Sequence, residues 1–320
     1  MDSEAIVTAA NTAESLPNTS AGKPERNSYQ VRKAIEGLIH LIFLLCGIVA
    51  VAFVLLISIY LIVSGLPAIR EIGLVKFLLG RVWDPTNTTT GAQYGILAFI
   101  LSSVYGTAGA IVVGVPVGLM TAVFLAKVAP PKLAAVIRTA VQLLAGIPSV
   151  VYGLVGMIVL VPAIRNTFSL SSGACLLAAI IVLAIMILPS IIKVSVTALD
   201  AVPKEYEDAS LALGASPVET FFRVSVPAAK SGIAAAVVLG VGRAIGEAMA
   251  VMMVAGNVAN MPSLFQSVRF LTTAVASEMS YSSPGSLQRN ALFSIALVLF
   301  LFIMLLNAAL NFFLKRDKEK

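Results

Sequence analysis

Six long apolar runs alternate with polar stretches along the chain, at about residues 37–64, 95–126, 140–164, 173–196, 231–256 and 291–314. An α-helix rises about 1.5 Å per residue and the hydrocarbon core of a bilayer is about 30 Å thick, so each run is long enough to cross it. The pattern predicts an all-α polytopic membrane protein with six transmembrane helices. The first run is too long for the apolar core of a signal peptide and no small-residue cleavage site follows it, so it reads as an uncleaved span. Residues 65–94 form a more polar outer loop with the only tryptophan, Trp83, whose amphipathic ring suits the membrane surface. Pro116, Pro148 and Pro189 fall inside spans, where neighbours or water satisfy the carbonyls they free. Gly146, Ser149 and Gly153 beside Pro148 make the third span the one expected to be irregular.

The fifth run carries two charges, Arg243 and Glu247, near its middle. A charge at the centre of a membrane helix costs roughly 2.5 to 3.5 kcal/mol on insertion scales, so such residues normally face a bundle interior or a watery path. Gly242, Gly246 and Ala250 recur at the same four-residue spacing and predict a small-residue stripe against which another helix packs closely. Two readings stand for the charges. They line a substrate path, or they neutralise each other as an i, i+4 pair, although base before acid is the weaker helical order.

Residues 1–36 are polar and end in the basic cluster Arg26, Arg32 and Lys33, which reads as a disordered tail. With both termini in the cytoplasm, fifteen of the 22 Lys and Arg residues fall on the inner side, including those of the short tail at 315–320, and six on the outer side. The positive-inside rule favours that orientation. The longest inner loop is 197–230. Pro203 followed by Glu205, Glu207 and Asp208 suits a helix start, where a fixed φ and negative charge both help, and Gly214 suits its end. The expectation is a short helix lying along the membrane face, with Leu211, Ala212 and Ala215 available for docking.

Composition narrows the class. The chain is 58% hydrophobic and 12% charged, with a mean hydropathy of +0.96, well outside soluble usage. The net charge of +6 is explained by its placement around the spans rather than by nucleic-acid binding. Cys46 and Cys175 lie in apolar runs and imply no disulfide framework, and His40 has no second ligand type near it, so no metal site is expected. There is no Walker A pattern and no dinucleotide fingerprint, so ATP hydrolysis is not expected of this chain alone.

The inner loop resembles that of the permease subunits of ABC importers. Their motif runs Glu-Ala-Ala, then Gly six residues after the Glu, then a Pro closing Ile-x-Leu-Pro thirteen residues later. Asp208, Gly214 and Pro227 hold these intervals, with Val224, Ser225 and Val226 before the proline. Asp208, Ala209 and Ser210 stand where Glu-Ala-Ala is usual, with Glu207 one place early, which leaves two acids for the family's contact with its ATPase. The stretches Gln142–Gly153 and Gly242–Val251 are similar to signatures of phosphate importer permeases, and Phe77, Trp83, Asp84, Pro85 and Tyr94 are similar to the PstC-type subunit.

The resemblance implies a type I ABC importer permease core at 95–314 in a bacterial or archaeal cytoplasmic membrane. It implies a PstA-like second permease, an ATPase dimer carrying ATP and magnesium, and an extracytoplasmic phosphate-binding protein. Arg243 and Glu247 would then line the path of the phosphate ion, and Glu207, Asp208, Ala209, Gly214 and Pro227 would belong to the ATPase coupling. A permease for another oxyanion, an amino acid or another small solute in the same ABC class is expected to share the coupling loop. A secondary transporter, which needs no ATPase, is expected to show inverted repeats and broken helices meeting at midplane. No internal repeat is evident.

Overall fold

The computed structural model describes residues 26–89 and 91–316. The first helix, α1 (Arg26–Ile72), is 47 residues long and passes through Pro67. It starts earlier and ends later than the apolar run predicts: residues 26–36 of the expected disordered tail are helical, and the expected outer loop begins only after Ile72. Residues 1–25 and 317–320 lie outside the described residues. Contacts divide the chain into two units, Met1–Ile57 and Ser58–Lys320. In the first, the α1 side chains from Ile35 to Ile57 are exposed.

The second unit begins with the last turns of α1, then α2 (Leu74–Leu79) and a small antiparallel hairpin of β1 (Trp83–Asp84) and β2 (Gln93–Tyr94). Next come α3 (Leu97–Val123), prolonged by a π-helical turn at Phe124–Val128, then α4 (Pro131–Gly146), α5 (Ser149–Val155), a π turn at Gly156–Leu160, and α6 (Val161–Thr167). The buried helix α7 (Leu176–Asp200) leads to α8 (Lys204–Ala212), α9 (Pro217–Thr220), a π turn at Phe221–Ser225, and α10 (Val226–Ala228). The chain closes with α11 (Lys230–Gly246), α12 (Met249–Val254), α13 (Leu271–Glu278) and α14 (Leu287–Arg316).

Among the described residues, five helical stretches are long and apolar enough to cross a membrane, and a sixth forms if Pro217–Ala228 and Lys230–Gly246, which meet at 71°, are counted as one bent span. The third and fifth expected spans are both broken. Ile147 and Pro148 are extended, with ψ of 128° and 142°, so the chain from 140 to 146 belongs to α4, an amphipathic helix with no buried residue, and the span begins at Ser149. Proline disfavours the helical conformation in the residue before it and removes a backbone donor, which accounts for this break.

α7 is the centre of the unit. Gly109, Gly114 and Gly118 of α3 face it so closely that a Cβ at these positions would lie 2.7 to 2.8 Å from side-chain carbons of Ile180, Ile187 and Ile191. Absent side chains on one helix thus admit branched ones on the other, the way membrane helices gain close packing when lipid offers no hydrophobic driving force. The Trp83 ring is not exposed. It is buried in a cluster with Phe77, Tyr94, Ile96, Phe99 and Leu271.

Candidate functional site: a broken helix and its coupling loop

α11 stops at Gly246 because Glu247 is extended, with φ −75° and ψ 128°. The chain restarts at Met249 as α12. Arg243 therefore occupies the last turn of α11, where a cation meets the carbonyl end of the helix favourably. Its Nη1 donates to Ser190 Oγ of α7 at 3.3 Å. Glu247 turns the other way. Its Oε1 accepts the backbone N–H of Ala250 at 3.0 Å, capping the first turn of α12, and its carbonyl accepts the Thr272 hydroxyl at 2.7 Å. Among the described residues Arg243 and Glu247 form no ion pair, because the break redirects the side chain that a continuous helix would bring back at i+4.

The expected small-residue stripe is broken at the same point. A Cβ at Gly242 or Gly246 would meet nothing within 4 Å, so no described helix of this chain packs there. Ala250 alone is a packing position: a Cβ at Gly153 of α5 would lie 2.8 Å from the Ala250 Cα. The two interrupted helices α5 and α12 thus cross at Gly153 and Ala250, and the broken helices foreseen for a secondary transporter are present. That feature does not separate the two classes.

The loop at 197–230 folds as the sequence expects in its first half. Pro203 precedes α8, and Gly214 takes φ +87° just past the helix end, a conformation open to glycine without strain. Its acids part company. Glu207 is half-buried: its Oε1 lies 2.6 Å from Lys127 Nζ and accepts the Ser225 hydroxyl at 2.8 Å. Burial raises the Glu207 pKa, but these two partners and the nearby Lys204 outweigh it and hold the carboxyl below its ordinary value. Asp208, Ala209, Gly214 and Pro227 are exposed. Glu219 caps α9 reciprocally with Ser216, and the hydrogen bonds from Ser216, with the charge of Arg223, lower its carboxyl too.

A second polar cluster lies beside the hairpin, and sequence reasoning missed it. Arg269 pairs with Glu278, donates to the carbonyl of Asn257 and lies 5.8 Å from the centre of the Phe99 ring. Trp83 Nε1 donates to Glu278 at 3.0 Å and Gln288 donates to it at 3.2 Å. These residues come from five separate parts of the chain, so no local spacing announces them.

The chain is similar to known proteins. The family model described as "Binding-protein-dependent transport system inner membrane component" matches residues 114–317. A probable ABC transporter permease, YqgH of Bacillus subtilis, is 38% identical over 297 residues, covering 91% of this chain and 96% of that one. The phosphate transport system permease protein PstC of Haemophilus influenzae is 34% identical over 270 residues, covering 78% and 84%. Among solved structures, an inward-facing methionine ABC transporter, MetNI, aligns with a TM-score of 0.54 at 19% identity over 69% of this chain and 97% of that chain, a likeness of fold alone. With a family model matching well over half its length and relatives aligned nearly end to end, the chain belongs to the inner-membrane components of binding-protein-dependent transport systems, as the permease subunit of an ABC importer.

Proposed function

We propose that this permease carries inorganic phosphate, as the PstC-type subunit beside a PstA-like partner, over an ATPase dimer and beneath a phosphate-binding protein. The observation that carries the reading is Arg243, a permanent cation at a helix break in an apolar span, steadied by Ser190 and without a carboxylate partner among the described residues. Guanidinium presents forked donors matched to phosphate oxygens. The named PstC relatives support the same substrate.

Glu247 supplies the discrimination. Hydrogen phosphate carries an O–H donor at neutral pH and sulfate does not, so a fixed carboxylate just past the helix break, unpaired with the arginine, favours the former. Its Oε1 is engaged by Ala250, which fixes the carboxylate without exhausting its lone pairs. The coupling loop faces the cytoplasm, in keeping with the distribution of Lys and Arg, and ATP-driven closure of the ATPases shifts it to switch the path between its two openings. Asp208, exposed at the motif position, is the acid that meets the ATPase, while Glu207 is committed to Lys127.

The test is ATP-dependent uptake of labelled phosphate by the assembled complex with sulfate as competitor. Uptake that resists sulfate and is lost in an assembled Arg243→Ala variant is expected. Normal uptake by that variant would reduce Arg243 to a packing role, and a complex that ignores phosphate would send the assignment to another solute.

A further inference from the structure

The carboxylate of Glu207 has an unusual position for a residue on a surface helix. α8 buries no residue, yet this one side chain reaches inward to Lys127 and Ser225. Both partners sit on π-helical turns, Lys127 at the inner end of α3 and Ser225 just before α10. Such turns recur at functional sites because they aim a side chain off the regular helical register. Nothing in the sequence spacing marks them.

Exposure separates this link from the ordinary ion pair nearby. Arg138 and Asp200 lie 3.3 Å apart with each side chain 44% exposed, a pair that water and salt screen readily. Lys127 and Glu207 are 12% and 16% exposed and lie 2.6 Å apart, with the Ser225 hydroxyl completing the carboxylate's shell. Breaking a pair so enclosed leaves a poorly solvated charge, so it moves as a unit or not at all. The loop is braced internally by the Ser210 to Thr220 hydrogen bond of 2.9 Å and held to the bundle by the packing of Phe221 and Val226 on the apolar cluster of Val123, Leu125, Val196 and Leu199.

From Lys127 a rigid route leads to the anion site. α3 cannot slide over α7, because Gly114 and Gly118 seat Ile187 and Ile191 with no spare room. α7 carries Ser190, whose hydroxyl holds Arg243. Gly240 of α11 sits on Ile191 of the same face, where a Cβ would lie 3.1 Å away. Interfaces packed this closely pass displacement on rather than absorb it.

We propose that Lys127, Glu207 and Ser225 form a clasp through which the coupling helix drives the Arg243 site, so that Lys127 and Glu207 are positioning residues for transport. The proposal deepens the phosphate-permease reading and rests on it for the identity of the cargo alone. The two acids of the motif then have different roles, since Asp208 receives the ATPase and Glu207 hands the movement inward.

The experiment uses the complete complex in liposomes, reading uptake per ATP hydrolysed for Lys127→Met, Glu207→Gln and the swapped pair Lys127→Glu with Glu207→Lys. A reporter that needs no knowledge of the cargo accompanies it: Thr197→Cys, with Cys46 and Cys175 replaced by Ala. Thr197 lines the cavity of about 330 Å³ between α4 and α7. Its labelling by a water-soluble thiol reagent is compared with and without ATP and vanadate. The single variants are expected to assemble and hydrolyse ATP while uptake per ATP falls at least tenfold and labelling no longer responds to nucleotide, and the swap restores both to within about threefold. Unchanged uptake per ATP in the single variants, labelling that still responds in them, or a swap that restores nothing overturns the clasp. A complex that takes up no phosphate, yet shows nucleotide-dependent labelling that the single variants abolish and the swap restores, retires the cargo assignment and leaves the clasp standing.

Discussion

Two pairs of glycines share the same four-residue spacing on apolar helices and do opposite things. Gly114 and Gly118 on α3 are crowded by Ile187 and Ile191, whereas Gly242 and Gly246 on α11 face open space. The first pair is a seam within the chain. The second lies next to a helix break and beside Arg243, where a side chain would fill room rather than collide. Spacing of small residues therefore says that a helix has a narrow face, and not what that face meets.

The largest effect is expected of Gly114→Leu. The added side chain has no place between α3 and α7, and overpacking of this kind costs about 1 to 3 kcal/mol or more, so loss of monodisperse protein in detergent is expected. Gly246→Leu tests the other side. The chain's own packing is expected to survive with its melting temperature nearly unchanged, while uptake is lost because the space near Arg243 is filled. Assembly failure without loss of the chain's own stability would instead place a partner helix on that face. The smallest effect belongs to Gly242→Ala, which removes a flexible residue from a helix interior worth up to about 1 kcal/mol and is expected to raise the melting temperature slightly with transport retained.

The same contrast explains what was legible beforehand. The apolar runs marked the approximate place of the spans, since hydropathy over some twenty residues is a demand of the bilayer itself. Pro148 with its glycines announced the break before Ser149, because proline acts through its own covalent geometry. The break after Gly246 had no such signal. Glu247 is extended there because its side chain caps Ala250 and its carbonyl accepts from Thr272, a residue 25 positions away. The i, i+4 pairing of Arg243 with Glu247 presumed an unbroken helix and failed with it. The burial of Trp83 has a related reason: its partners, the buried Phe99 and the partly buried Glu278, arrive from distant segments.

In the coupling loop the outline was local and the roles were not. Pro203 and Gly214 mark the ends of α8 through their own backbone preferences. Which of two adjacent acids turns inward depended on Lys127, far earlier in the chain, and on a π turn that rotates Ser225 toward it. Hydropathy and the conformation of single residues were enough to mark several membrane crossings, two charges within an apolar run and a short helix bounded by Pro203 and Gly214. The tertiary structure alone decided where the fifth span breaks, which glycines are seams, and which acid is free, because those depend on groups brought together from far apart along the chain.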